Sequence, residues 1–343
     1  MKRRILKAGR LPLRGRRGGL CTRLGMVLTA LLVAGTPSAT GQIPDPPTVQ
    51  PATLTFWEPA PSYITDCAMN NRGDVIGTVL ERSPATSTFR GFLLRASALE
   101  PFSVPGYRHT LLTGINDRGD MAGYVFERGS DVETGFIVRD GVTTFLPPVP
   151  PPAGAQAFPG YATGDINNRG VVVGRVRFII NGTLTTMGWI YENGNYTLVR
   201  YGQNQVTGLT GINEKGETAG FTSLSDGFGS FDPVIYRQGH FTLLPAPAPP
   251  RPFSDPGYGA TAINDRGEVL VTRPNQSFLP GERSYLYRPG KPYVDLTPVG
   301  SFQNAARSIN DRGQICGIWV TTNVQDINGD FVERVIGYVR PAP

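Results

Sequence analysis

Apolar and polar residues alternate along most of the chain in short runs, each closed by a cluster of Gly, Pro, Asn or Asp, and that period-2 pattern predicts half-buried β-strands rather than helices. One repeat shows the order: a strand at 111–115 runs into the turn Asn116-Asp117-Arg118-Gly119, a second at 121–126 leaves it, a third follows at 135–139, and Arg139-Asp140-Gly141 turns into a fourth at 142–146. The same signals recur at 171–176 and 188–191, and again at 234–237 and 240–244.

The turns divide the chain. Met69-Asn70-Asn71-Arg72-Gly73, Ile115-Asn116-Asp117-Arg118-Gly119, Ile166-Asn167-Asn168-Arg169-Gly170, Ile212-Asn213-Glu214-Lys215-Gly216, Ile263-Asn264-Asp265-Arg266-Gly267 and Ile309-Asn310-Asp311-Arg312-Gly313 are six copies of one turn. Their glycines are spaced by 46, 51, 46, 51 and 46 residues, so alternate copies are 97 apart. The two longer steps carry Pro-rich inserts and the landmarks Pro159-Gly160-Tyr161 and Pro256-Gly257-Tyr258, again 97 apart. Residues 53–343 number 291, three such double repeats.

Four-stranded repeats of this length match the blades of a β-propeller, which bury both faces only by stacking into a ring. The sixth repeat stops after a third strand at 335–339, while an unassigned strand, Leu54-Thr55-Phe56-Trp57, stands at the other end of the repeats. The expectation is an all-β, six-bladed β-propeller of four-stranded blades, closed by the N-terminal strand joining the last blade; the alternative is an open β-solenoid. In the turn, Asn bonds its side chain to the backbone two residues on and Gly supplies positive φ. A later glycine, at 77, 123, 174, 220 and 317 but replaced by Val271 in the fifth copy, predicts close approach of a neighbouring backbone.

Composition agrees with a turn-rich β protein: 43 Gly and 31 Pro in 343 residues. Residues 1–41 read as a secretory signal peptide, with nine Lys and Arg, no acid, an apolar run at 26–34 and then small residues. Residues 42–52 read as a Pro-rich linker and 53–343 as a single propeller domain. The signal changes the charge argument. The chain is +6 overall, but its 33 Lys and Arg include those nine, leaving 24 against 27 Asp and Glu. The basic balance therefore describes targeting and gives no case for nucleic acid. The expected location is extracellular or periplasmic, with no transmembrane segment in the mature chain and a monomeric state. Cys21 leaves with the signal; Cys67 and Cys316 remain, either as a disulfide latching the first blade to the sixth or as two buried thiols.

The segment Asp295-Leu296-Thr297-Pro298-Val299-Gly300, then Ala305-Ala306, then 308–317 with its Ile-Asn-Asp-Arg-Gly turn and later Gly317, resembles the bacterial probable extracellular HAF-repeat family. The turn half of that repeat is present in all six copies, the fourth-strand half is clear at 295–300, and the His-Ala-Phe element is absent. The resemblance implies a secreted, propeller-like repeat protein without an established enzymatic activity, and it supplies no catalytic residues.

Candidate chemistry is sparse. His109 and His240 occupy different repeat positions and read as separate surface histidines. None of the hydrolase, P-loop or zinc signatures is present. Asp326, Asn328 and Asp330 form an oxygen-rich loop that is a calcium candidate, although its glycine is misplaced for an EF-hand; no other cofactor is indicated. The basic residues at 72, 118, 169, 215, 266 and 312 would ring one face of a closed propeller, and there solvation is the expected role. The opposite face collects the variable loops, with Tyr107, Arg108, His109, Tyr161, Gln203, Asn204, Tyr258, Phe302, Gln303 and Asn304 as candidate binding residues, aromatic rings beside amides suiting a carbohydrate or protein ligand. The competing reading is that Pro-Gly-Tyr packs its loop on the neighbouring blade. Trp57, Trp189 and Trp319 fall in strands and are expected in the core. Function is therefore expected to be non-enzymatic, a secreted binding or structural module. The alternative is a propeller hydrolase or lyase with carboxylates contributed by several blades.

Overall fold

Asn at the first corner and Gly at the fourth make each repeat turn back tightly, and every copy does so in the same way. In blade 1 the Asn70 carbonyl accepts from Gly73 N at 3.2 Å, and Gly73 sits at φ 88°. The Asn70 side-chain Oδ1 accepts from Arg72 N and Asp74 N, each at 3.0 Å, which fixes the turn from inside. Strands 62–69 and 75–82 are thereby joined as a hairpin, and alternation along them turns one face to each neighbouring blade.

The computed structural model describes residues 52–54, 62–82, 87–96, 98–127, 132–202, 206–223, 231–247, 257–273, 283–297, 303–325 and 331–341. It contains six four-stranded antiparallel sheets. Blade 1 comprises Ser62–Met69, Val75–Arg82, Ser87–Arg95 and Ala98–Phe102. Blades 2 to 5 follow the same meander within 109–145, 155–199, 206–243 and 259–295. Blade 6 takes three strands from the C-terminal end, Gln303–Ile309, Gln314–Gln325 and Phe331–Pro341, and its fourth from the N-terminal side, Ala52–Leu54. Ala52, Thr53 and Leu54 pair with Val339, Tyr338 and Gly337. First strands contact the next blade all the way round, including blade 6 against blade 1, so the ring is closed. The sheets lie within one compact unit, Pro46–Pro343. An all-β propeller with an N-terminal closing strand is the observed fold. The closing strand begins at Ala52, inside the stretch read as linker, and 55–61, with Trp57, lie outside the described residues.

The core is six apolar seams between blades. One joins Ile137, Tyr161, Val172, Met187 and Trp189; another, at the closure, joins Ile64, Cys67, Phe92, Ala305, Cys316 and Ile318. Trp189 is fully buried, as expected. The later glycines have a clear steric cause. A Cβ at Gly77 would strike the Asp66 carbonyl and the Phe92 ring, one at Gly123 the Leu111 carbonyl and Phe136, and one at Gly174 the Ala162 carbonyl and Trp189. The second strand is thus wedged between a bulge in the first and an aromatic on the third.

Pro159-Gly160-Tyr161 is not a loop. It lies within the first strand of blade 3, Ala155–Ile166, where a register shift falls between Ala157 and Tyr161. Gly160 takes φ 101° there.

Candidate functional site

The two ends of the ring differ in construction. At the turn end, the asparagine that closes each turn also reaches the next blade. Asn70 Nδ2 donates to the Asn116 carbonyl, Asn116 to Asn167, Asn167 to Asn213, Asn213 to Asn264, Asn264 to Asn310, and Asn310 back to Asn70, all at 3.0–3.1 Å. A second circle lies beside it. The backbone N–H of the next turn residue donates to the side chain of its counterpart one blade on: Asn71 to Asp117, Asp117 to Asn168, Asn168 to Glu214, Glu214 to Asp265, Asp265 to Asp311 and Asp311 to Asn71, at 2.7–2.9 Å. Both circles are complete. All six asparagines of the first are at most 4% exposed.

Asn occupies the first-circle position six times out of six, although Asp would have served the turn alone; the amide accepts from its own turn and also donates across the seam, which a carboxylate does not. The second circle had no comparable signature, because Asn, Asp and Glu alternate at its position.

Three of the six basic turn residues are ion-paired, and Lys215 Nζ donates to the Asp265 carbonyl at 2.6 Å. Arg72 meets Asp74 at 2.9 Å, Arg118 meets Asp120 at 2.7 Å, and Arg266 meets Glu268. A second arginine from the end of the third strand joins each acid: Arg95 to Asp74, Arg139 to Asp120 and Arg288 to Glu268. Burial opposes ionisation of Glu268, but Arg288, Asn264 and Arg266 outweigh it and bring the carboxyl down to about 2.

Inside the circles the ring axis holds a cavity of about 60 Å³, lined by the turn residues and by Asp165. The turn carboxylates are not equivalent. Burial would raise Asp117, yet the Asn168 and Asn71 amides and the Arg72 charge hold it below the usual carboxylate range. Glu214 is raised, first by burial and then by the charges of Asp265, Asp117 and Asp311. Asp165 stands where the other blades carry Ala68, Gly114, Gly211, Ala262 and Ser308. Burial takes it up to about 7 against the pull of the Ile166 and Ile212 N–H groups, with Glu214 adding to the rise. Pockets for small organic ligands run to roughly 300–1,000 Å³, so the axial cavity accommodates water or a small ion, not a sugar ring. Among the described residues no three His, Cys, Asp or Glu side chains are placed to hold a metal ion.

At the loop end the blades have unequal heights. Blade 3 extends through the hairpin Val172–Ile180 and Thr183–Glu192, turned at Asn181 and Gly182, both at positive φ. Blade 6 extends likewise through Gln314–Gln325 and Phe331–Pro341. The link from blade 1 to blade 2 is a Val104-Pro105-Gly106-Tyr107 turn, with Tyr107 N donating to the Val104 carbonyl at 3.3 Å and Gly106 at φ 86°. Val104 is buried beneath it, its N–H held by Thr110 Oγ1 at 3.0 Å. The turn therefore leaves Tyr107 outward, 38% exposed, with its ring 5.3 Å from that of Phe145, 40% exposed at the end of blade 2's fourth strand. Arg108 follows, its backbone N–H on Glu127.

Only part of the expected binding set gathers here. Tyr107 and Arg108 do. His109 is buried, stacked on Phe126 at 4.5 Å and accepting from Phe89 N at Nδ1, so the expectation of a surface histidine is corrected; His240 is exposed. Tyr161 and Tyr258 are buried between blades, Tyr161 donating its hydroxyl to the Leu146 carbonyl, which makes the packing reading of Pro-Gly-Tyr the correct one. Asn304 is fully buried, its Nδ2 on the Leu296 carbonyl. These four were misjudged because aromatic and amide side chains beside loops also serve as seam filler. Phe145 was missed because it lies in a strand pattern, where exposure depends on being outermost. Gln303 begins a strand of blade 6; Gln203, Asn204, Phe302 and the calcium candidates Asp326, Asn328 and Asp330 lie outside the described residues. Cys67 and Cys316 are free thiols, both buried in one seam.

No family model and no curated protein matches the sequence. Among solved structures, the chain is similar to a Hadza microbial sialidase, with TM-score 0.51 and 10% identity, over 82% of this chain and 65% of that one. It is also similar to the fungal lectin of Aleuria aurantia, described as a six-bladed β-propeller with a fucose recognition mode, with TM-score 0.45 and 12% identity, over 82% and 96%. The β-propeller domain of a protease from Pyrococcus furiosus gives TM-score 0.43 and 9% identity, over 82% and 95%. At such identities the likeness is one of fold.

Proposed function

We propose that the protein is an exported, non-enzymatic binding module of the HAF-repeat type, presenting a carbohydrate- or peptide-binding surface at the loop end of a rigid ring. The observation that carries this reading is the Tyr107–Phe145 pair. Two large rings stand exposed at one blade seam, held by a Pro-Gly turn on one side and a strand on the other, with Arg108 adjacent. Preorganised aromatic surface of this kind suits the apolar face of a saccharide or a peptide side chain, since little side-chain freedom is lost on binding. At the turn end the six asparagines and the residues after them are committed to the ring circles. Screening the mature protein against a glycan array and a panel of bacterial envelope proteins is expected to yield a ligand whose affinity falls at least about tenfold in Tyr107→Ala or Phe145→Ala, as loss of a central aromatic contact does. Binding that neither substitution weakens would refute the assigned surface, and turnover of a substrate without stable binding would refute the module.

A hydrolase or lyase is the second reading, favoured by Asp165 and Glu214, two neighbouring carboxylates raised by their surroundings at the axis. The size of the cavity stands against it. Activity on glycosides or polyuronates that disappears in Asp165→Asn would establish it.

A further inference from the structure

The ring is closed by little backbone. Ala52–Leu54 pairs with the third strand of blade 6 over three residue pairs, and the rest of the closure is the packing of the first strand of blade 1 on blade 6 together with the Asn310–Asn70 and Asp311–Asn71 turn hydrogen bonds. Cys67 lies on that first strand, and Cys316 lies on the second strand of blade 6, opposite Ser308 and Val339. Both belong to the same apolar seam and are 4% and 0% exposed. The two thiols are near enough for Cys316 to raise the Cys67 thiol. Nothing else in the seam requires sulfur at these positions: the counterparts of Cys316 in the other blades are Ile76, Ala122, Val173, Ala219 and Leu270. Among the described residues, cysteines occur only where the first and last blades meet.

We propose that Cys67 and Cys316 are the two halves of a covalent latch, oxidised to a disulfide that locks blade 1 to blade 6 once the chain is in an oxidising compartment. The step is thiol–disulfide exchange with a protein or small-molecule disulfide. The oxidant's S–S bond breaks and one Cys67–Cys316 S–S bond forms, while the two electrons and the two thiol protons, relayed through solvent, pass to the oxidant's sulfurs, which leave as thiols. The seam governs when this happens. The thiolate is the attacking species, and the Cys67 thiol is pushed well above its ordinary range by the neighbouring Cys316 thiol and by burial. The closed, reduced ring is consequently slow to react, and the latch forms during folding or when the seam opens. A bond between residues so far apart in sequence restricts the unfolded chain strongly, which makes the latch effective.

The test uses the full exported chain, refolded with oxidised and reduced glutathione and, in parallel, with dithiothreitol. Expected are a linked Cys67–Cys316 peptide in non-reducing mass mapping and a melting temperature higher than the reduced form by roughly 5–15 °C, a gain abolished by dithiothreitol. Cys67→Ser and Cys316→Ser should each melt alike in both buffers. Wild type without substitution carries the test if a variant fails to fold. Both thiols remaining free after oxidative refolding, or linked only between two copies of the chain, would overturn the proposal, as would a linked form that melts no higher.

Discussion

The turn end and the loop end of the ring are built from the same strands and obey opposite rules. At the turn end six copies of one sequence converge on the axis, and each side chain completes a contact that the next copy begins. At the loop end the copies diverge: blades 3 and 6 are tall, the blade 1–2 link holds out Tyr107, and the landmarks shared by other links are buried as packing. Repetition marks the part of this molecule that holds itself together, and departure from repetition marks the part available to something else. Asp165 is a departure at the axis, a carboxylate where five blades have Gly, Ala or Ser.

The contrast can be broken most severely at the turn end. Asn167→Ala removes the acceptor for Arg169 N and Val171 N and the donor to the Asn213 carbonyl. Leaving these buried groups unpaired is expected to cost about 3–5 kcal/mol in denaturant unfolding. Asn167→Asp keeps the acceptor for the turn but sets a buried carboxyl against the Asn213 carbonyl, so its loss should be large at neutral pH and shrink at low pH, where the protonated carboxyl can donate; a loss independent of pH would show that the amide does not stitch the blades. Next in size is Gly174→Val, which puts carbon against the Ala162 carbonyl and the Trp189 ring. A loss of about 2–3 kcal/mol is expected, and Val271→Gly at the same position of blade 5, where the side chain is fully buried, should cost a similar amount, about 2–4 kcal/mol, through lost packing and chain entropy.

The axis should show itself in pH dependence. With its carboxyl raised to about 7, native Asp165 keeps a proton that the unfolded chain releases near its ordinary value of 3.8. Its contribution is complete at low pH and is lost as pH rises through about 7. The half-buried side chain faces a polar cavity, so after discounting for screening the loss is about 1–2 kcal/mol. Asp165→Asn should flatten the stability curve between pH 4 and 7, read by chemical denaturation across that range; an unchanged slope would remove Asp165 as its source. The smallest effect is expected at the loop end, where Tyr107→Ala should alter stability by less than about 0.5 kcal/mol while weakening ligand binding. A large stability loss there would make Tyr107 packing, like Tyr161.

Much of the fold was legible in the chain. The spacing of six glycines counted the blades, strand alternation supplied four strands to each, and a repeat ending one strand short pointed to an N-terminal closing strand, read at 54–57 and found at Ala52–Leu54. The site was less legible. Tyr107 and Tyr161 both follow Pro-Gly, yet one sits after a two-residue corner with Val104 beneath it and the other after a bulge inside a long first strand. Local residue types are alike in the two places; exposure differs because the neighbouring blade covers one and not the other.

The sequence by itself determined the repeat, the turn and the number of blades, because those depend on backbone conformations that Asn, Asp and Gly impose within a few residues. Tertiary structure alone decided that the asparagines join into a circle, that the turn arginines face outward onto Asp74, Asp120 and Glu268, and that Cys67 meets Cys316. Each of these contacts links residues from different blades or sets a side-chain direction in space, and such relations exist only after the ring has closed.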